Sequence, residues 1–437
     1  GKIRLYSPGT GEIYVGLLDY LTDWAYEHGY SWEFEESKFF GHPKDENEFI
    51  TPESVVGFVK SLGVPHKVRD YQYRAIWEEL RYNRRLLLSP TASGKSLMIY
   101  SLVRYHIKAD RNILIVVPTT SLVEQMYKDF EEYGWMASKY CHKIYAGAEK
   151  YTDHQVVITT WQSVYKEPRK WFDRFDVVIG DEAHLFKAKS LTTLMAKLHE
   201  CKYRVGFTGT LDGSSTNQLV LEGLFGRCSQ VTKTKDLMKA GYVAKLKVRI
   251  LVFEHPKQSF DTYQDEIDWI IENPARNKFI KNLVKDLEGN TLVLFNYVER
   301  HGEPLYELIN SDVDKPTFFV HGGVDVSDRE SIREITEQSS NAVIVASYGT
   351  FSTGINIRNL HNVIFASPSK SRVRNLQSIG RVLRKGENKS QAILYDLADD
   401  TSKGASRRNY TLNHLIERVK VYNEEKFDYE ILDVKIK

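Results

Sequence analysis

Cysteine is scarce in this sequence: Cys141, Cys201 and Cys228 are the only three in 437 residues, and no two form a Cys-x-x-Cys pair. This spacing argues against a disulfide framework and against a zinc site. No apolar run approaches the roughly 18 residues that a membrane span needs, and no charged-then-apolar leader opens the chain. We therefore expect a protein of a reducing cytoplasm that binds neither zinc nor membrane.

Internal repeats and low-complexity tracts are also lacking. The chain is 42% hydrophobic and 27% charged, so it can bury large cores. Its net charge is only +2, but residues 1–60 hold five Lys/Arg against eleven Asp/Glu, which leaves +8 for the rest. Within residues 369–389, seven basic residues face one acid, Glu387. This asymmetry favours a polyanionic partner for the later part of the chain.

Short apolar, β-branched runs alternate with longer amphipathic stretches after residue 66, which is the pattern of parallel strands buried on both faces. The first set of runs is Leu86–Leu88, Ile113–Val117, Val156–Thr159, Val177–Ile179 and Arg204–Phe207. The second set is Leu292–Phe295, Thr317–Val320, Val343–Ala346, Val363–Ala366 and Ile393–Tyr395. The stretch 232–275 separates the two sets.

This pattern predicts an α/β fold with two doubly wound parallel-sheet domains in tandem, each with its ligand edge at the strand C-termini. We assign them to residues 67–235 and 236–437, the second with a C-terminal helix. Residues 1–66 show a strand–turn–strand pattern and two helical stretches, and we interpret them as a small α+β accessory domain. Its acidity makes it a poor binder of phosphates by itself.

The strongest local motif runs from Ser89 to Ser96, between an apolar strand and a helical stretch. A turn that leads into a helix N-terminus points backbone N–H groups at an anion, as in a phosphate loop, although Ser89 replaces the first glycine of that pattern. Lys95 would reach the β- and γ-phosphates of ATP, and Ser96 would hold Mg²⁺. The alternative is a chance Gly-Lys-Ser in a loop. The residues predicted to cradle the nucleotide here are Thr91, Ala92, Ser93, Gly94, Lys95 and Ser96.

An acidic segment, Asp181-Glu182-Ala183-His184, follows the apolar run Val177–Ile179. Acids at the end of a buried strand can face a metal ion and a water molecule at the edge of the sheet. Asp181 would then bind Mg²⁺ and Glu182 would polarise the attacking water. By itself, such an acidic pair is also typical of a solvated loop.

These two segments resemble motifs I and II of the superfamily 2 helicases, with a DEAH-type motif II, and other segments resemble the remaining motifs in the expected order. Residues 69–72 resemble the adenine-reading Q motif, 117–125 motif Ia, 160–163 motif Ib, 208–210 motif III, 294–296 motif IV, 352–356 motif V and 377–384 motif VI. The resemblance implies two RecA-like domains with ATP bound between them.

The resemblance also gives roles to residues outside motifs I and II. Arg69 and Gln72 are expected to bind adenine, and Gly354 and Asn356 the nucleotide, although many relatives have Asp where this chain has Asn356. The catalytic set would comprise Lys95, Asp181, Glu182, His184, Gln377, Arg381 and Arg384. Such arginines stabilise charge on the γ-phosphate in the transition state. The alternative for them is an exposed basic helix.

Hydroxyls, amides and backbone N–H groups near strand C-termini can bind successive phosphates of one nucleic-acid strand without reading its sequence. For each threonine, a turn-forming or helix-capping role is the alternative. Tyr71, Trp161 and Tyr348 lie beside motifs and could stack on bases or fill a core. The candidate nucleic-acid contacts are Thr119, Thr120, Gln125, Thr160, Gln162, Asn296, Thr353 and Lys370.

Within the superfamily the chain is most similar to the phage UvsW-type recombination helicases, over nearly its whole length. That resemblance implies 3′→5′ movement on DNA and remodelling of branched DNA, such as Holliday junctions, forks, D-loops and R-loops, in the cytoplasm of a bacterial host. It implies single-stranded DNA and RNA–DNA hybrids as further partners, and an N-terminal domain that begins before residue 1. The alternatives are an RNA-directed or restriction-type motor and a strand-annealing protein with weak ATPase activity.

Overall fold

The structure is a computed structural model that describes residues 5–33, 47–354, 357, 359–369, 371, 378–380, 382, 391–402 and 408–436. The chain divides into two compact units, residues 1–232 and 233–437, each with its own parallel sheet. The predicted α/β class with two parallel-sheet domains is thereby confirmed. The three-part division at residues 66 and 235 stays a prediction.

The first unit contains a two-stranded hairpin and a seven-stranded sheet in which every neighbouring pair is parallel. The hairpin strands are β1 (Tyr6–Ser7) and β2 (Glu12–Ile13). The sheet strands are β3 (Arg84–Leu88), β4 (Ile113–Val117), β5 (Cys141–Ile144), β6 (Val156–Thr160), β7 (Val177–Asp181), β8 (Tyr203–Thr208) and β9 (Cys228–Gln230), in the order β5-β6-β4-β7-β8-β3-β9.

Helices cover both faces of this sheet, because its inner strands are apolar on both sides. Every residue of β4, β6 and β7 is buried. The helices are Leu18–Glu27, Pro52–Ser61, Asp70–Tyr82, Lys95–Lys108, Thr120–Glu132, Ala137–Tyr140, Trp161–Val164, Arg169–Phe172, Lys189–Lys197 and Ser215–Phe225, with 3₁₀ turns at Val15–Leu17 and Ala183–Lys187.

The second unit repeats the plan with another seven-stranded parallel sheet, ordered β12-β13-β11-β14-β15-β10-β16. Its strands are β10 (Lys245–Glu254), β11 (Thr291–Phe295), β12 (Thr317–Val320), β13 (Val343–Ser347), β14 (Asn362–Phe365), β15 (Gln391–Asp400) and β16 (Asp428–Lys435). Its helices are Thr234–Lys239, Tyr263–Ile271, Pro274–Asp286, Glu303–Asp312, Val326–Gln338, Tyr348–Gly354 and Tyr410–Glu425, with a π-helical turn at Val298–Gly302.

The stretch 232–275 lies between the two predicted sets of apolar runs. Its extended run is β10, which lies inside the second sheet between β15 and β16. The predicted C-terminal helix is followed by β16 at the edge of that sheet. Within the described residues, no helix has the length and apolar character that crossing a membrane requires.

The N-terminal segment packs on the helix Ser215–Phe225 of the first unit. Gly16 lies so close to that helix that a Cβ there would be 2.0 Å from the carbonyl oxygen of Glu222. The hydroxyl of Tyr20 donates a hydrogen bond of 2.7 Å to the Glu222 carboxylate. Burial and Glu222 raise the pKa of Tyr20 to about 12. Glycine at position 16 therefore permits the close approach.

Candidate nucleotide site and nucleic-acid edge

The first sheet brings motifs I, II and III together, because β7, β8 and β3 are neighbours and all end at the same edge. The phosphate loop follows β3, the acidic pair ends β7, and Thr208 ends β8. The backbone N–H of Ser89 donates to the Thr208 carbonyl at 2.7 Å, which ties the start of the loop to β8. Ligand sites of open parallel sheets lie at such an edge.

Two residues of the loop have left-handed backbone conformations, Ala92 at φ 66° and Gly94 at φ 80°. Gly94 directly precedes the helix Lys95–Lys108, so the loop enters the helix N-terminus as predicted. The hydroxyls of Ser89 and Ser93 are both buried and lie 2.6 Å apart. Ser89, which replaces the usual first glycine, therefore braces the loop from inside.

The Q-motif segment holds this loop from behind. The amide oxygen of Gln72 accepts from the backbone N–H of Arg69 at 2.8 Å, and its amide nitrogen donates to the Ser93 carbonyl at 2.9 Å. The guanidinium of Arg69 donates to the Ala92 carbonyl at 3.1 Å, and the Tyr71 hydroxyl donates to the Ser93 carbonyl at 3.0 Å. Gln72 is buried beneath the loop, where it positions the backbone. Its contact with adenine stays a prediction.

Lys95 lies between the two acids of motif II. Its ammonium nitrogen is 2.6 Å from Asp181 Oδ1 and 3.3 Å from Glu182 Oε1. Burial opposes the charge on Lys95, but the two carboxylates outweigh it and raise the pKa of the ammonium group above its ordinary value. Burial raises the pKa of Asp181, and Lys95 opposes that rise. The site thus holds one fixed positive charge against two acids at the sheet edge.

His184 links motif II to motif III. Its Nδ1 lies 3.0 Å from the hydroxyl of Thr208, and the same hydroxyl donates to the carbonyl of Thr210 at 2.9 Å. Glu182 has a left-handed backbone at φ 51° and lies 3.4 Å from His184. Burial lowers the pKa of His184, so its ring is neutral at pH 7. A movement of the Glu182 side chain would therefore alter the hydrogen bonds of Thr208, at the end of β8, through His184.

The donor set at this edge fits Mg²⁺, an ion that takes one or two protein carboxylates and completes its shell with water and phosphate oxygens. Asp181 offers a carboxylate and Ser96 a hydroxyl. Among the residues described, no cluster of three or more His, Cys, Asp or Glu side chains could hold a metal ion. An ion bound here would depend on the nucleotide for much of its coordination.

Sequence reasoning missed a partner of Ser96. The Ser96 Oγ lies 2.8 Å from the hydroxyl of Tyr133. Tyr133 is the C-cap of the helix Thr120–Glu132, which starts at motif Ia. Ser96 and Tyr133 are 37 positions apart in the sequence, so no local pattern could predict this contact.

The predicted nucleic-acid contacts of the first unit follow β4 and β6, which are neighbouring strands. Thr120, Gln125 and Gln162 are exposed. The Thr119 hydroxyl caps the helix Thr120–Glu132 by accepting a hydrogen bond from the Leu122 N–H at 3.3 Å. Thr119 therefore has the helix-capping role that was the alternative to phosphate binding. Thr160 is buried and its hydroxyl lies 2.8 Å from that of Ser163. Because a hydroxyl that accepts a hydrogen bond keeps its own proton, Thr119 can cap the helix and still donate to a phosphate, whereas burial removes the Thr160 hydroxyl from the surface.

In the second unit, Asn296 follows β11 and begins a segment held to the loop after β14. Its backbone N–H donates to the Ser367 hydroxyl at 3.0 Å, and its side-chain amide donates to the Pro368 carbonyl at 3.1 Å. Thr353 and Gly354 end the helix that follows β13. Five predicted site residues lie outside the described residues: Asn356, Lys370, Gln377, Arg381 and Arg384.

Two buried ion pairs hold the loop that follows β14, and sequence reasoning did not predict them. Arg276 pairs with Asp399 at 2.9 Å and donates to the Ala366 carbonyl. Arg418 pairs with Asp396 and donates to the Ser369 carbonyl at 3.0 Å.

Two of the aromatic residues beside the motifs pack within their own units. Tyr348 is buried and donates to the Ser367 carbonyl, so it belongs to the core. Trp161 packs edge-on against Tyr165, with ring centroids 5.5 Å apart.

Family models match both units. Residues 65–213 match the family described as type III restriction enzyme, res subunit. Residues 275–386 match the helicase conserved C-terminal domain. Together these matches cover the predicted motifs from the Q motif to motif VI.

Two curated proteins are similar over most of the chain. The ATP-dependent DNA helicase uvsW of Enterobacteria phage T4 is 38% identical over 84% of this chain and 77% of its own length. The DNA 3′-5′ translocase XPB2 of Sulfurisphaera tokodaii is 24% identical over 80% of this chain and 86% of its own length. Among solved structures, the DNA-bound type ISP restriction-modification enzyme LlaBIII covers 85% of this chain and 32% of its own, with a TM-score of 0.65 at 15% identity, a likeness of fold.

Proposed function

This chain is a superfamily 2, ATP-dependent DNA helicase of the UvsW family, and we propose that it moves 3′→5′ along DNA and remodels branched duplexes. The observation that carries the proposal is the arrangement of Lys95, Asp181 and Glu182 at one sheet edge, beside two strands whose ends offer hydroxyls and amides to a phosphate backbone. The direction is supported by the relative named as a 3′-5′ translocase. Branched DNA is supported by the resemblance to UvsW.

The proposed chemistry uses the first unit's residues as follows. The loop from Thr91 to Ser96 and the helix behind it bind the phosphates of ATP through backbone N–H groups. Lys95 leaves its carboxylate partners for the β- and γ-phosphates, which frees Glu182 to orient the attacking water. Asp181 and Ser96 would hold Mg²⁺, which supplies charge stabilisation at the leaving and transferred phosphates when bound.

His184 is proposed to pass the state of motif II to motif III. Because its ring lies between Glu182 and Thr208, a shift of Glu182 on hydrolysis changes the hydrogen bonds at the end of β8. Arg381 and Arg384 are proposed to complete the hydrolytic site, as the resemblance implies. Contacts through phosphates explain binding without base specificity.

An unwinding panel tests the substrate proposal. Labelled forks, four-way junctions, D-loops, R-loops and linear duplexes with 3′ or 5′ single-stranded tails are offered to the purified chain with ATP and Mg²⁺. We expect junctions, forks and 3′-tailed duplexes to be processed, and 5′-tailed duplexes to remain intact. Equal processing of both tail polarities would contradict the direction, and preference for linear duplex over every branched substrate would contradict the substrate class.

Measurements of ATP hydrolysis and of strand annealing separate the other superfamily 2 activities. The match of residues 65–213 to a restriction-enzyme subunit family favours a duplex translocase as the second candidate, which would hydrolyse ATP on linear duplex without separating strands. Stimulation of ATP hydrolysis by single-stranded RNA as strong as by DNA would indicate an RNA-directed motor. Annealing of complementary strands by Glu182→Gln at the wild-type rate would identify annealing as a separable activity. We place the protein in the cytoplasm of a bacterial host.

A further inference from the structure

We propose that Lys143 and Tyr145 form a further phosphate-binding site at the nucleic-acid edge, and that the carboxylate of Glu124 competes with DNA for this site. The inference rests on the proposed function, because it requires a DNA strand to lie along the edge where β4 and β6 end. Lys143 lies in β5 and Tyr145 directly follows that strand, whereas Glu124 lies in the helix Thr120–Glu132. Lys143 and Tyr145 are outside the segments that resemble helicase motifs.

The strand order places these residues beside the predicted DNA contacts. In the register of β5 and β6, Ile144 pairs with Thr159, so Tyr145 comes level with Thr160, where motif Ib begins. The two strands are parallel and end at the same edge of the sheet. Glu124 lies one turn after the start of its helix, which begins at this edge. A strand bound along the edge therefore passes the group formed by these side chains.

Glu124 accepts three hydrogen bonds from two neighbouring donors. The ammonium nitrogen of Lys143 lies 2.9 Å from each of the two carboxylate oxygens of Glu124. The hydroxyl of Tyr145 donates to Oε1 of the same carboxylate. The Lys143 nitrogen also lies 4.5 Å from the centroid of the Tyr127 ring. Hydrogen bonds from Tyr145 and Lys143 lower the pKa of the Glu124 carboxyl, so an ammonium group and a phenol hold one anion between them.

A phosphate group of DNA can take the place of this carboxylate. Each anion presents two oxygens to the donors, the carboxylate oxygens in one case and the non-bridging phosphate oxygens in the other. Lysine and tyrosine side chains are common phosphate contacts that hold a strand without reading its bases. The side chains of Lys143 and Glu124 are 31% and 47% exposed, and such exposed ion pairs contribute little to stability. Displacing Glu124 therefore costs little.

The competing carboxylate limits how tightly the edge holds DNA, because Glu124 must leave before a phosphate can bind. A motor that steps along DNA has to release each phosphate that it binds, and a competing anion favours this release. Glu124→Gln leaves an uncharged amide that binds Lys143 more weakly, so it should strengthen DNA binding. Lys143→Gln removes the cation and should weaken DNA binding.

The test measures binding of a fluorescent oligothymidylate to the full chain by anisotropy at several salt concentrations. We expect Lys143→Gln to weaken binding about fivefold and to reduce the slope of log K against log salt by about 0.7, the value for one phosphate contact of a single strand. Glu124→Gln should strengthen binding about threefold and keep the wild-type slope. Tyr145→Phe should weaken binding about threefold without changing the slope, because it removes an uncharged donor.

Two other charge changes in the first unit are the matched controls. Lys139→Gln removes the same charge near the opposite end of β5, because Lys139 lies in the helix Ala137–Tyr140 that precedes the strand. Glu132→Gln removes a carboxylate from the last residue of the helix that carries Glu124. Both controls should keep the wild-type affinity and slope. If Lys139→Gln reduces the slope as much as Lys143→Gln, or if Lys143→Gln changes neither quantity, Lys143 is not a phosphate contact and the proposal is wrong.

The remaining outcomes distinguish failure of this inference from failure of the function on which it rests. If Glu124→Gln binds DNA no more tightly than the wild type, the carboxylate does not compete and the proposal is overturned. If Gln162→Ala weakens binding and Lys143→Gln does not, DNA lies at this edge and only the inference fails. If the wild type does not bind the oligothymidylate at any salt concentration, the proposed DNA-directed function fails together with the inference.

Discussion

At the scale of single residues, the nucleotide site contains three left-handed backbone conformations, at Ala92, Gly94 and Glu182. Glycine adopts this conformation freely, whereas a residue with a Cβ is strained in it. Such strain persists where the surroundings hold it in place, and it concentrates at functional sites. Hydrogen bonds from Arg69 and Tyr71 to the Ala92 and Ser93 carbonyls provide that restraint here.

Ala92 and Gly94 should respond in opposite ways to exchange of glycine and alanine. Ala92→Gly removes a left-handed alanine and should raise the free energy of unfolding by about 1 kcal/mol. Gly94→Ala adds a left-handed alanine whose Cβ would lie 2.2 Å from the Gln72 amide nitrogen, so it should cost about 2 kcal/mol or more.

Urea unfolding of both variants, followed by ATP titration, measures these effects. Gly94→Ala should also bind ATP at least about tenfold more weakly, because it displaces the side chain that holds the Ser93 carbonyl. Equal stability of the two variants would show that the loop does not hold these conformations.

A buried histidine in the second unit should make stability depend on acid. Burial, assisted by the charge of Arg276, lowers the pKa of His301 from 6.5 to about 3. The folded state therefore holds fewer protons than the unfolded chain between these values. The contribution of His301 is complete above pH 6.5 and is lost as pH falls, by about 1.4 kcal/mol per pH unit until about pH 3.

His301→Gln should reduce the dependence of the free energy of unfolding on pH by about 1.4 kcal/mol per pH unit between pH 6.5 and about pH 3. Ser367→Ala is the control, because it removes a hydrogen bond of 2.8 Å to His301 but keeps the histidine. Urea unfolding at several pH values below 6.5 measures the difference. If both variants keep the wild-type slope, His301 does not cause the acid sensitivity.

At the scale of elements, the sequence predicted most of the inner strands and the edge strand β12, but it missed the edge strands β5, β9 and β16. Inner strands such as β4 and β11 are buried along their whole length, so they appear as continuous apolar runs. β5 carries His142 and Lys143, and most of β16 is exposed, so neither edge strand has that signature. β10 was recognised as extended, but periodicity alone cannot assign a strand to a sheet.

Gly16 should decide whether the N-terminal segment stays packed on the helix Ser215–Phe225. Gly16→Ala would force a Cβ to within 2.0 Å of the Glu222 carbonyl oxygen and should destabilise this packing by about 1–3 kcal/mol. Gly9→Ala is the matched control, because a Cβ there meets nothing within 4 Å.

Hydrogen exchange of the helix Leu18–Glu27 is the appropriate measurement for this pair. Exchange should accelerate in Gly16→Ala and stay as in the wild type in Gly9→Ala. Unchanged exchange in both variants would show that the segment is held by other contacts.

At the scale of the whole molecule, the order of strands and motifs along the chain predicted that Lys95 and Asp181 lie together. The prediction holds because all strands of a parallel sheet end at the same edge. Lys95 and Asp181 are 86 positions apart in sequence, yet β3 and β7 are separated only by β8. What the sequence could not provide were contacts between side chains on different elements, such as Gln72 with Ser93 and Ser96 with Tyr133. Those depend on packing angles that no local pattern encodes.

The central claim is that Lys95 in the phosphate loop drives an ATP-fuelled DNA motor, and ATP hydrolysis by the full chain tests it most directly. We expect DNA to stimulate hydrolysis by the wild type. Lys95→Ala should remain folded and lower DNA-stimulated turnover by about 100-fold or more. Wild-type turnover that no DNA or RNA stimulates, or a folded Lys95→Ala variant that still turns over ATP at the stimulated rate, would contradict the account.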